Sequence, residues 1–211
     1  LHNTTLVLAG DAVASAAGTF GVSVSEAGMG LGDLSGDGDA DDAVFYVYAP
    51  ARGFSVNLRL AVPLYPPPAV DGERNLLLAR EAARALDANA DGDRDDWTVH
   101  VFEAGPGLLY DTALASPGSA VLLGGWVAIG VSEAMQGSSD LDGDGDADGN
   151  IVHAYELATG VLVPLGIDAH ALVASGERLF LLPSEELAAL DWNDDGDARD
   201  RVLFDWNAAR G

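Results

Sequence analysis

The chain has no cysteine and no lysine, and only 7% of its 211 residues are aromatic. Without cysteine there is neither a disulfide framework nor a thiolate metal site, and the redox compartment leaves no mark. The 10 basic residues are all arginine, against 34 acidic ones, for a formal net charge of −24. A surface of that sign lacks the cationic footprint that draws nucleic acid, which excludes that class of partner. Long apolar runs are scarce too. The longest uncharged stretch, Thr112 to Ser132, is interrupted by Pro117 and by several glycines and serines, which argues against a membrane span. Long helical periodicity is missing as well. The chain is nonetheless 48% hydrophobic, enough to bury a substantial core, so it is no disordered acidic tail.

What the sequence does have is repetition. An acidic motif occurs four times, as "DLSGDGDADD" at 33–42, "DANADGDRDD" at 87–96, "DLDGDGDADG" at 140–149 and "DWNDDGDARD" at 191–200. Their starts lie 54, 53 and 51 residues apart. Each motif runs into an apolar segment with an aromatic at one column, Tyr48, Phe102, Tyr155 or Trp206, and a glycine five residues later. A second run follows in three copies, "FSVNLRL", "LLYDTAL" and "VLVPLGI", and a run ending in glutamate precedes every motif: "FGVSVSE", "NLLLARE", "VAIGVSE" and "LFLLPSE". Short apolar runs between turn signals predict about four strands per repeat.

Four-stranded repeats of this length predict an all-β chain, a single repeat domain over 1–211, folded as a four-bladed β-propeller. The chain ends after "VLFDWNAARG" and begins with "LHNTTLVL", the kind of segment that follows that turn in the other copies. The N-terminal strand is therefore expected to complete the last blade and close the ring, hiding its sheet edges. An open array of β-units, or part of a larger propeller assembled from copies of the chain, satisfies the same spacing. The "PLYPPPAV" stretch makes 62–70 an expected irregular loop.

Five aspartates in nine positions repel one another unless a cation sits among them. Oxygen side chains alternating along a short loop, with one glycine interposed, describe a hard-cation site, and Ca²⁺ suits such a loop better than the strict octahedron of Mg²⁺. Position one is Asp33, Asp87, Asp140 and Asp191; position three is Ser35, Asn89, Asp142 and Asn193; position five is Asp37, Asp91, Asp144 and Asp195; position seven is Asp39, Asp93, Asp146 and Asp197. Position six is Gly38, Gly92, Gly145 and Gly196, where a sharp turn favours a residue without Cβ. An EF-hand is excluded because position twelve holds Val44, Thr98, Ile151 and Val202 instead of a bidentate glutamate.

The pattern D-x-[DNS]-x-D-G-x-x-D leading straight into a strand resembles the calcium loops of integrin alpha-chain propellers and bacterial FG-GAP-type repeats. That resemblance implies Ca²⁺ held by positions one, three, five and nine with the backbone carbonyl of seven. Position nine is Asp41, Asp95 and Asp148, but Arg199 in the last copy. Position ten is Asp42, Asp96, Gly149 and Asp200, so Asp200 is expected to substitute in repeat four. The strand-ending Glu26, Glu81, Glu133 and Glu185 either reach back to the metal or are simply polar strand ends. The four loops contain 20 of the 34 acidic residues, and about four Ca²⁺ per chain are expected.

No catalytic constellation stands out. His100 and His153 share a strand column with Tyr46 and Phe204, a packing position, and Glu103 and Glu156 fall on the opposite strand face from those histidines. The expected function is non-enzymatic: a secreted or cell-surface, calcium-stabilised module of prokaryotic type, with a structural, adhesive or assembly role. Two alternatives stand beside it: a propeller that binds protein or glycan through its calcium-loop face, and a hydrolase or lyase with carboxylates in a central cavity.

Overall fold

The computed structural model describes residues 5–16, 18–62, 69–188 and 190–209. The chain is all-β and divides into two units, Leu1–Ala113 and Leu114–Gly211. In the first unit, β1 Leu8–Ala16, β2 Thr19–Ser25, β3 Ala43–Ala49 and β4 Phe54–Ala61 form one four-stranded antiparallel sheet, each pairing with the next. A second such sheet is built from β5 Ala69–Asp71, β6 Arg74–Arg80, β7 Trp97–Glu103 and β8 Leu108–Ala115, the last strand running on across the boundary.

The second unit has β9 Ala120–Leu123, β10 Trp126–Ser132, β11 Asn150–Glu156, β12 Leu162–Ser175, β13 Arg178–Pro183 and β14 Phe204–Asn207 in one six-stranded sheet. It is two repeats sharing a strand. The first half of the 14-residue β12 pairs with β11, Leu162 opposite Tyr155, and its second half pairs with β13, Leu172 opposite Leu181. The fourth repeat thus has three strands, with no partner on the outer edge of β14 among the described residues.

The strand before each acidic loop and the strand after it lie side by side. Register runs from Phe20 opposite Tyr48 to Ser25 opposite Ala43 in repeat one, and from Trp126 opposite Glu156 to Ser132 opposite Asn150 in repeat three. These strands are rich in Val, Ile, Leu and aromatics, and β7 and β10 are buried at five consecutive positions, as strands covered on both faces should be. Phe45, Val47, Leu58, Leu60, Leu77, Ala79 and Phe102 form the core of the first unit. Leu123, Ala128, Val152, Leu179 and Leu181 form that of the second, where Trp126 meets Trp206 edge-on at 5.5 Å. The first three acidic loops are therefore anchored at both ends by buried, paired backbone, and the fourth by β13 and the partly buried β14.

Among the described residues, helix is limited to short turns at the glutamates, α1 Glu26–Met29, α2 Glu185–Ala188 and a 3₁₀ turn at Ala82–Arg84, and to a 3₁₀ turn at Pro50–Arg52. No helix among the described residues is long and apolar enough to cross a membrane. Most of the proline-rich loop expected at 62–70, and the first four residues of the segment expected to close the ring, lie outside the described residues.

Candidate metal centre

Each loop is folded by its own carboxylates. The position-one aspartate accepts the N–H of the position-six glycine in all four copies: Gly38 to Asp33 at 2.9 Å, Gly92 to Asp87 at 3.1 Å, Gly145 to Asp140 at 3.2 Å and Gly196 to Asp191 at 2.9 Å. Those glycines have φ between +101° and +113°, which a side chain would resist. The position-five aspartate accepts the N–H of position seven, Asp39 to Asp37 at 3.2 Å and Asp93 to Asp91 at 3.1 Å, with the same contact at Asp146 to Asp144 and Asp197 to Asp195. Position seven in turn accepts from position nine at Asp41, Asp95 and Asp148. Ser35 Oγ lies 3.2 Å from both Asp33 and Asp37. A carboxylate has about four lone-pair directions, so one N–H leaves it capacity for a cation.

The strand-ending glutamates are among the most buried side chains of the chain: Glu26 and Glu185 are 0% exposed, Glu81 and Glu133 1%. They are not polar strand ends. Glu26 Oε1 accepts the N–H groups of Leu34 and Ser35, each at 2.7 Å, and its Oε2 that of Asp42 at 3.1 Å. Glu81 Oε1 takes Ala88 and Asn89; Glu133 takes Leu141 and Gly149; Glu185 takes Trp192, Asn193 and Asp200. Each glutamate also donates its own N–H to the position-ten carbonyl, at 2.9–3.1 Å. The result is a clamp: in repeats one, three and four the buried carboxylate ties both ends of the loop, while in repeat two Glu81 Oε1 holds the first end and the Glu81 backbone N–H the second.

Three carboxylates per repeat bring one oxygen each to within 4.8 Å of one another: Glu26, Asp39 and Asp42; Glu81, Asp93 and Asp96; Glu133, Asp140 and Asp142; Asp195, Asp197 and Asp200. The structure thus gathers positions seven and ten in three copies and positions one and three in the third. Of the expected acidic ligands it leaves the exposed Asp41, Asp95 and Asp148 outside these groups, and also Asp33, Asp37, Asp87, Asp91, Asp144, Asp146, Asp191 and the buried Glu185, while Ser35, Asn89 and Asn193 lie against the loop carboxylates through hydrogen bonds. Asn193 Nδ2 donates to Asp195 at 3.2 Å and to Asp200 at 3.1 Å, so in repeat four an amide sits between two of the acids.

Burial and neighbouring carboxylates shift several of these acids. Burial, then the neighbouring charges of Asp37, Glu26 and Asp39, push the Asp42 carboxyl up to about 6. Burial and the adjacent Asp91 and Asp93 take Asp96 to about 6 against the hydrogen bond from Asn89. Asp142 is raised mainly by burial, with Asp144, Glu133 and Asp140 adding to it. Asp33, by contrast, is lowered, chiefly by the backbone N–H of Gly36. Two oxygens within these groups are buried without any hydrogen-bond donor, Asp42 Oδ2 and Glu81 Oε2. Such an orphan costs about 1–3 kcal/mol, more when charged, unless a cation or water meets it. An all-oxygen donor set with buried, unmet acceptors fits a hard divalent ion.

Sequence reading assigned His100 to packing and missed its partners. His100 is fully buried on β7, its Nε2 3.0 Å from Thr98 Oγ1 and its Nδ1 3.7 Å from Asp111, which Arg84 approaches at 3.6 Å. The order hydroxyl, imidazole, carboxylate imitates a nucleophilic triad, but Thr98 is 1% exposed and no substrate reaches it. The apolar cleft of about 280 Å³ lined by Val56, Phe102 and the turn Ala104 to Gly107 offers no carboxylate either.

Burial, against the pull of Asp111, holds the His100 imidazole down to about 4. A base whose folded value lies below its unfolded 6.5 stabilises the fold fully above 6.5, and that contribution is lost as pH falls from 6.5 towards 4. The expected difference between wild type and His100→Gln across that window is about 3 kcal/mol at most, read from urea melts at pH 7 and pH 4.5. Taking the difference matters, since carboxyls held near 6, such as Asp42 and Asp96, favour the fold at low pH and oppose it at neutrality. Parallel pH profiles for the two proteins would show the histidine to be inert.

Compared with protein-family models and with curated proteins, the chain matches none, and the likeness to integrin-type repeats stays a resemblance confined to the four loops.

Proposed function

We propose that this chain is a calcium-binding β-repeat module, secreted or displayed at the cell surface, in which bound ions fix the corners of four repeats for a structural or adhesive role. The observation that carries this reading is the pair of buried acceptors, Asp42 Oδ2 and Glu81 Oε2, left without donors inside converging carboxylate groups. Recurrence strengthens it, since all four copies of the motif bring three carboxylates together. Extracellular calcium at millimolar levels fills modules whose dissociation constants are on the order of 10⁻⁴ to 10⁻³ M. The bound ion supplies positive charge and six to eight oxygen contacts. The chain's own residues shape the loop, cap its backbone and exclude bulk water from the clamp. A four-bladed propeller is the fold this function would use, because one more strand on the edge of β14 would bring the fourth repeat to the four strands of the others.

The test is a count. Native mass spectrometry of the chain in calcium acetate is expected to show four ions per chain, about one per loop. A chain that stays metal-free at several millimolar calcium would end the proposal.

A further inference from the structure

We propose that in repeats one, two and four the cation is held at the tenth loop position and not at the ninth, so that this chain's ligand set differs from the one its motif implies. The inference rests on the calcium reading above and specifies which oxygens serve it. In all three repeats the converging group contains positions seven and ten: Asp39 with Asp42, Asp93 with Asp96, and Asp197 with Asp200. The position-nine carboxylates Asp41 and Asp95 stand in none of them and are exposed.

An independent observation marks the inner side of the loop. Glu81 is 1% exposed, its Oε2 has no hydrogen-bond donor, and an oxygen of the same carboxylate lies within 4.8 Å of Asp93 and Asp96. In repeat one the donor-free oxygen is on the position-ten residue itself, Asp42 Oδ2. A second line comes from repeat four, where position nine is Arg199, a residue that cannot ligate, yet Asp195, Asp197 and Asp200 still converge.

Repeat three shows why it departs. Its position ten is Gly149, whose N–H donates to Glu133 Oε2 at 2.8 Å, and a Cβ there would stand 2.8 Å from that oxygen and 2.8 Å from Ile151 Cδ1. An aspartate there would have to displace both side-chain ends, and the group that forms instead is Glu133, Asp140 and Asp142. The chain therefore carries two kinds of cation site, three built on the tenth position and one on the first and third.

The experiment compares Asp42→Asn and Asp96→Asn with Asp41→Asn and Asp95→Asn in the full chain, reading ion count by native mass spectrometry and affinity by calcium titration calorimetry. Each position-ten variant is expected to lose one ion, or to bind it about tenfold or more weakly, while position-nine variants keep the full count within about twofold of wild-type affinity. Loss at position nine with retention at position ten, or equal loss at both, overturns the assignment. A gain-of-charge arm needs no damaged site: Arg199→Asp places a carboxylate at position nine of repeat four, and its calcium affinity is expected to stay within about threefold of wild type. A larger tightening would restore the ninth position as a ligand. Failure of the calcium reading itself looks different, since wild type would then bind no ion at all.

Discussion

Removing calcium with excess chelator is expected to lower the melting temperature by about 15–30 °C, and returning 10 mM Ca²⁺ to restore it. The size follows from linkage. An ion that binds only the folded chain stabilises it by RT ln(1 + [L]/Kd), about 1.4 kcal/mol at ten times Kd and 2.7 at a hundred times. Across four sites that is roughly 6–11 kcal/mol, and a chain of this length moves about 2–4 °C per kcal/mol. The unfolded chain keeps the acidic residues but not their convergence, so it competes poorly for the ion. Chelation also returns repulsion to loops that hold 20 of the 34 acidic residues, with Asp42 and Asp96 already pushed to about 6. A control separates sites from screening. Sodium chloride at 0.5 M shortens the Debye length to about 4 Å and relieves general repulsion without filling a site. If salt alone returned the whole shift, the stabilisation would be charge screening and the four groups would not be metal sites. Mg²⁺ at equal concentration should recover only part, because it dehydrates reluctantly and demands an octahedron.

Much of this architecture was readable in the residues, and the reasons are local. Strands β2, β6, β10 and β13 and the strands after each loop appear where alternating or continuous apolar runs stand between turn signals, because pairing and burial select those side chains. The loops were legible from spacing, since the N–H of Gly38 can reach Asp33 only with a fixed number of residues between. What escaped is non-local. β12 reads in sequence as a run stopping near Ile167, yet it continues to Ser175 because its second half finds β13 to pair with. Closure of a ring is likewise set by how sheets associate, which no residue spacing encodes. The ninth and tenth positions look equivalent as letters, and only the path of the backbone over the buried glutamate turns Asp42 inward and leaves Asp41 in solvent. Glu26 could be read as ligand or as strand end, since a carboxylate answers a cation and an N–H alike, and the sequence does not contain the donors' positions.

The glutamate clamp yields the second large effect, and Glu185 with its neighbour Glu186 provides the comparison within one dipeptide. Glu185 is fully buried and accepts three N–H groups, from Trp192 at 2.7 Å, Asn193 at 3.2 Å and Asp200 at 3.2 Å, while Glu186 is exposed. Replacing Glu185 by alanine strands those donors and opens a void beneath the loop. At about 1.5–3 kcal/mol for each lost hydrogen bond to a charged group, less what water restores at the exposed Asn193 and Asp200, the loss is expected to be roughly 4–6 kcal/mol, or about 10–20 °C in melting temperature. Glu185→Gln keeps Oε1 but sets an amide nitrogen against one donor, so about half that loss is expected. Glu186→Ala should fall within about 0.5 kcal/mol of wild type. The measurement is made in calcium-free buffer, which separates the two roles a buried carboxylate can play here. A group serving only as a metal ligand would cost nothing when removed without metal, and would even relieve repulsion from Asp195 and Asp200. A group that holds the loop by its backbone destabilises the chain whether or not an ion is present. Equal melting of the Glu185 and Glu186 variants without calcium would therefore return Glu185 to the metal and dissolve the clamp.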